Sequence, residues 1–243
     1  DISSPIEITA AQKEMILREI AFEFQSQGKG EDTRENLEKF IESFAPQIGV
    51  SIPAKTLLRD IETRSGLLIE RSIDVLGFSH LTLQEYLVAS YIQVKPENYK
   101  LLIQNIDKQE WREVILLYAG LLDDATKLVR DIMKTDTLEH LVLAGLCIGD
   151  AKQCDTKLSK DIIERLMALC KKNDDHAETI IDALASIAVD YNEEAVTVEQ
   201  KLSEHLIEVI QNSEDEQIKL HAIDILGRAR ISFGLPNLIN LLQ

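Results

Sequence analysis

The sequence predicts a mainly α-helical chain: a winged-helix domain, built of helices plus one β-hairpin, followed by an α-solenoid of HEAT-like helix pairs. Three observations lead there. Leu, Ile, Ala, Glu and Lys dominate while aromatic residues make up only 5%, a balance that favours helices. The first 92 residues read in the order helix, helix, helix, hairpin, helix. From Pro96 onward only helical patterns remain, and the later ones repeat weakly.

Each element has its own signals. Thr9 with Gln12 forms a capping box ahead of a helix running to about Gln25, with Met15, Leu17, Ile20, Ala21 and Phe24 as its apolar stripe. The polar segment SQGKGEDT reads as a loop. A second helix over 34–45 presents Leu37, Phe40, Ile41 and Phe44 on one face. Pro53 opens a third, which carries Leu57, Leu58 and Ile61 inside and stops at Gly66. Two short runs around Ser72–Asp74 then predict a β-hairpin, and a fourth helix begins after His80.

The second part is helical throughout. In WREVILLYAGLL, Trp111, Val114, Ile115, Tyr118 and Leu122 share a face and read as core. LSKDIIE at Leu158 resembles LSEHLIE at Leu202, and IDALAS at Ile181 resembles IDILGR at Ile223, offsets of 44 and 42 residues. A helical period near this length is what HEAT-type solenoids show, each helix pair needing its neighbours to bury its apolar faces. The expected divisions are 1–94 for the winged helix, 95–155 for a helical link and 156–243 for the repeats. The absent initial Met and the apolar ending NLINLLQ suggest an excerpt of a longer protein.

Charge and motifs narrow the function. The net charge is −16, and residues 1–92 alone carry 9 basic and 15 acidic residues. The third helix offers Lys55, Arg59 and Arg64 against Asp60 and Glu62, too little to supply the phosphate contacts of a DNA reader. No partner nucleic acid and no membrane are expected. No apolar run approaches the roughly 20 residues of a membrane span. Cys147, Cys154 and Cys170 form no CxxC pair and read as core or boundary residues of a reducing, cytoplasmic compartment. The sequence holds no GxxxxGK[ST] loop, and GKG at Gly28–Gly30 lacks the spacing of one. GxSxG, HExxH and DxDxDG are likewise missing. His140, His176, His205 and His221 stand singly and read as surface or boundary residues, while Asp123–Asp124 and Asp174–Asp175 fall at helix junctions, where carboxylates cap. No catalytic residue, no metal ligand and no enzymatic activity of the chain by itself are expected.

One histidine is placed differently. In GFSHLTLQEYLVASYI, Thr82 and Glu85 fit a capping box, with Leu81 and Tyr86 spaced as a hydrophobic staple. Leu83, Tyr86, Leu87, Ser90 and Tyr91 would follow one face of the helix. His80 precedes this start and shares strand parity with Phe78, which would point both side chains the same way. It is either a buried, hydrogen-bonded residue or a preorganised contact for a ligand.

FSHLTLQEYLVASYI closely resembles the F-x-H-L-T-F-Q-E-Y-x-A-A motif that closes the winged-helix domain of NACHT-family proteins, signal-transduction ATPases of the STAND class related to the NOD-like receptors. RSGLLIER resembles the wing entry of that family, and WREVILLYAGLL with LVLAGLC resembles the helical segment downstream. The likeness covers roughly residues 8 to 150, with Leu83 in place of the commoner Phe and Val88 where small residues are frequent. In the family the motif histidine contacts the β-phosphate of ADP bound to the preceding ATPase module. The resemblance assigns that role to His80 and to no other residue here. It implies an upstream NACHT module as partner, ADP or ATP with Mg in the full-length protein, a ligand sensed on the HEAT-like surface, and an oligomer on activation. Without that module, the alternatives are a HEAT-repeat protein-interaction scaffold with no nucleotide role, or a winged-helix DNA-binding regulator.

Overall fold

A computed structural model describes residues 8–170 and 176–188, together with short runs between 203 and 226. The chain is mainly helical with one small sheet. It divides into two compact units, residues 1–118 and 119–243.

In the first unit, α1 (Ala10–Ser26) starts at the predicted capping box, with Thr9 and Gln12 bonded reciprocally. It buries Ile16, Leu17, Ile20, Ala21 and Phe24, so Ile16 takes the core position expected of Met15. Helix α2 (Arg34–Phe44) is capped by Thr33, whose hydroxyl accepts the Asn36 N–H at 3.2 Å. A single 3-10 turn over Ala45–Ile48 leads towards α3 (Ala54–Ser65), which buries Leu57, Leu58 and Ile61 and ends at Gly66 in the left-handed conformation. Two ion pairs fix α3: Arg34 grips Glu62 through both guanidinium nitrogens at 2.6 and 2.9 Å, and Lys13 meets Asp60 at 2.5 Å.

The hairpin forms as β2 (Leu68–Ser72) and β3 (Val75–Phe78), but β3 is the middle strand of three. The segment expected to be a loop contributes β1 (Glu31–Thr33), antiparallel to β3, with Glu31 opposite Gly77 and Thr33 opposite Val75. Three polar residues carry no alternating apolar signal, and backbone pairing alone makes this strand. Gly77 permits the approach: a Cβ there would lie 2.7 Å from the Gly30 carbonyl oxygen.

Helix α4 (Leu81–Val94) packs along α1 and buries Gln84, Glu85, Leu87, Val88, Ala89, Ser90, Tyr91 and Ile92. At its far end Tyr91 lies against Phe22 with ring centroids 4.6 Å apart and donates to Glu19 at 2.8 Å, while Lys95 pairs with the same carboxylate at 2.7 Å. Helix α5 (Tyr99–Gln104) and the start of α6 (Arg112–Leu121) complete the unit, with Trp111, Val114, Ile115 and Tyr118 buried as expected.

In the second unit α7 (Thr126–Ile132), α8 (Leu138–Asp150), α9 (Thr156–Cys170) and α10 (Ala177–Ala188) pack side by side. Asp124 accepts the Thr126 N–H at 2.8 Å, the capping role its position suggests. Helices α8 and α10 meet through small residues. A Cβ on Gly145 would lie 3.3 Å from that of Ala183, and one on Gly149 would lie 2.7 Å from the Ser186 carbonyl carbon. Residue numbers rise together along this contact, so α8 and α10 run in the same direction with α9 as the return. His140 is not a surface or boundary residue: it is buried, with Nδ1 3.0 Å from the Thr135 carbonyl oxygen. The later members of the self-similar pairs are described only in part. The apolar ending NLINLLQ, Asp174–Asp175, His205, His221 and the Cys170 side chain lie outside the described residues.

Candidate functional site

The site is the two-residue junction between β3 and α4. Strand β3 ends at Phe78, whose ring meets Phe24 edge-on at 6.0 Å. Ser79 donates its N–H to the Leu67 carbonyl at 2.8 Å. Arg71 reaches across from β2, donating to the Phe78 carbonyl and, at 3.3 Å, to the Ser79 carbonyl. The register explains how it gets there. Glu70 opposes Leu76 and Ser72 opposes Val75, so Arg71 is the extra residue of a β-bulge, a feature that re-aims a side chain. The stem of Arg71 lies over Gly77: its Cγ is 3.4 Å from where a Cβ would stand.

His80 follows at once, with extended backbone (φ −136°, ψ 142°), as the residue that precedes the first helical turn. It is exposed, and its ring has no hydrogen-bond partner among the described residues. Of the two readings its spacing left open, the buried, hydrogen-bonded histidine is not what the structure shows. Phe78 is buried and His80 is exposed.

The capping box is corrected too. Helix α4 begins at Leu81, no side chain caps it, and Thr82 already lies inside the first turn. With Ser79 and its neighbours pinned, His80 becomes the last non-helical residue, and Glu85 is too far along to reach back. The staple fails for the same reason: Leu81 and Tyr86 are 62% and 44% exposed. The buried arc of α4 therefore turns away from Leu83 and Tyr86.

Gln84 and Glu85 thereby acquire different explanations. Gln84 donates to the Lys29 carbonyl at 3.3 Å and to the Gln25 amide oxygen at 3.4 Å, while Gln25 donates to the Glu110 carbonyl at 2.7 Å. It is a strut inside the core. Glu85 is buried with no hydrogen bond or ion pair among the described residues. Burial pushes its carboxyl above the usual range, and repulsion from the Glu113 carboxylate adds to the shift. Sequence reasoning missed Arg71 and the isolation of Glu85. An arginine flanking the hairpin turn was visible, but the bulge that aims it was not.

With this geometry in view, one comparison with known families bears on most of the first unit. Residues 5–92 match the model of the winged helix-turn-helix domain C-terminal to NACHT. The stretch has a winged-helix fold and is similar to that domain. No curated protein and no solved structure matches the chain.

The winged-helix domain has little with which to read DNA. On α3, Lys55 and Arg59 are exposed, but Arg64 pairs with Asp60 at 2.8 Å. The Asp60 carboxyl is held below its ordinary value by the hydrogen bond from Lys13, with further attraction from Arg64. Among the described residues no group of three or more His, Cys, Asp or Glu is placed to hold a metal, and no helix is long and apolar enough to cross a membrane.

Proposed function

We propose that the chain is the regulatory C-terminal part of a NACHT ATPase, in which the winged-helix domain holds the ATPase module in its ADP-bound resting state through His80. The match of residues 5–92 to a domain that lies C-terminal to NACHT carries this reading. The junction geometry supports it. An exposed, unbonded imidazole stands at the first turn of a 14-residue helix whose terminal amides no side chain caps. Such a helix start favours anions, and a phosphate oxygen could accept from His80. The chain contributes this one contact; the phosphate loop and the magnesium ligands belong to the ATPase module.

A hydrogen bond to a charged group is worth about 1.5–3 kcal/mol, or roughly 10- to 150-fold in an equilibrium constant. That biases a closed–open equilibrium while leaving it reversible. The helical region that follows acts as the sensor: a ligand bound there, with exchange of ADP for ATP, releases the winged helix and opens surfaces for oligomerisation.

The test is ADP retention by the NACHT-containing protein. His80→Ala should lower ADP affinity by at least about tenfold and raise basal oligomerisation. Unchanged ADP content in the purified variant would overturn the contact. The 243-residue chain alone should neither bind ADP in calorimetry nor hydrolyse ATP.

A further inference from the structure

His80 poses a mechanical problem. Its ring has no partner within the described residues, and its helix has no cap. Something else must hold it in one place if it is to meet a phosphate, because a group misplaced by about 1 Å can lose up to about 100-fold in effect. We propose that Arg71 is the positioning residue for His80.

Three observations converge on it. The guanidinium donates to the carbonyls of Phe78 and Ser79, the two residues just before His80. Arg71 is the bulged residue of β2, so its direction is built into the strand pairing. Gly77 leaves room for its stem to cross β3, and a larger residue there would meet both the Gly30 carbonyl and Arg71. Arg71 also forms no ion pair among the described residues, in a chain of net charge −16. Both bonds leave one terminal nitrogen, Nη2, which bridges the two successive carbonyls.

The geometric half of this inference stands by itself; the functional half rests on the ADP-contact reading above. The two are separated by two measurements. In the 243-residue chain, Arg71→Met keeps the aliphatic stem and removes the donors. Amide exchange at Ser79 and Leu83, whose N–H groups are bonded to the Leu67 and His80 carbonyls, should speed up by about tenfold or more, with overall helicity unchanged. Unaltered exchange would overturn the clamp.

In the NACHT-containing protein, Arg71→Met should weaken ADP binding by about tenfold, and should add nothing in the His80→Ala background. Full additivity in that double-mutant cycle would overturn action through His80. If His80→Ala itself leaves ADP affinity unchanged, the nucleotide reading falls together with this functional half, while the exchange result still decides the clamp.

Discussion

Glu85 and His80 are opposites near one helix start: a mostly buried carboxyl and an exposed ring, each without a hydrogen-bond partner among the described residues. Folding raises the pKa of Glu85 through burial and through Glu113, so the folded state binds its proton more tightly than the unfolded chain. Its contribution is therefore most favourable at low pH and is lost as pH rises from about 4.3, the ordinary glutamate value, through the raised folded value. Glu85→Gln should match the unsubstituted chain near the acid end and exceed it in thermal stability at neutral pH. Melting temperatures across this range check the sign; a Gln variant less stable at neutral pH would refute it. For His80 the expectation is the reverse of a core residue. His80→Ala should shift the unfolding free energy of the 243-residue chain by no more than about 0.5 kcal/mol, as exposed sites do. Denaturant melts measure this, and a larger loss would restore a structural role. His80 stood out in the sequence as part of a motif; its exposure did not, because exposure depends on where the helix begins.

Among the elements, the contact of α8 with α10 is closest at glycines. Gly149 faces backbone as well as the Ser186 side chain, so no rotamer change makes room for a methyl group. Gly149→Ala should destabilise the chain by about 1–3 kcal/mol through overpacking, against roughly 1 kcal/mol gained from helix propensity. Thermal unfolding of the variant tests this, and a net gain in stability would show that the helices separate easily. The apolar stripes of α1, α2 and α3 were readable from spacing, since each presents one face to a core. Helix α4 was misread because it is buried over a wide arc, and a broad buried surface carries no clean period. Strand β1 was invisible for a related reason: its pairing lies in the backbone of three polar residues, not in their side chains.

At the scale of the molecule, charge dominates. A net −16 spread over 243 residues repels itself. Raising ionic strength from about 0.01 M to about 0.1 M shortens the screening length from about 30 to about 10 Å and should raise the melting temperature. A falling melting temperature would mean that ion pairs such as Arg34–Glu62 outweigh the global repulsion. The same charge argues that duplex DNA will not be retained at physiological salt, which a retardation assay checks.

The sequence by itself determined the helical class, the order of helices and hairpin over the first 92 residues, and the motif that points to NACHT proteins. These follow from local periodicity, from the capping box of Thr9 with Gln12, and from short runs of neighbouring residues. Only the tertiary structure decided where α4 starts, that Arg71 clamps the junction, and that Glu85 is buried and His80 exposed with no hydrogen-bond partner for either among the described residues. Each of those depends on residues distant in sequence meeting across the sheet or along α1, and such meetings leave no periodic trace in the chain.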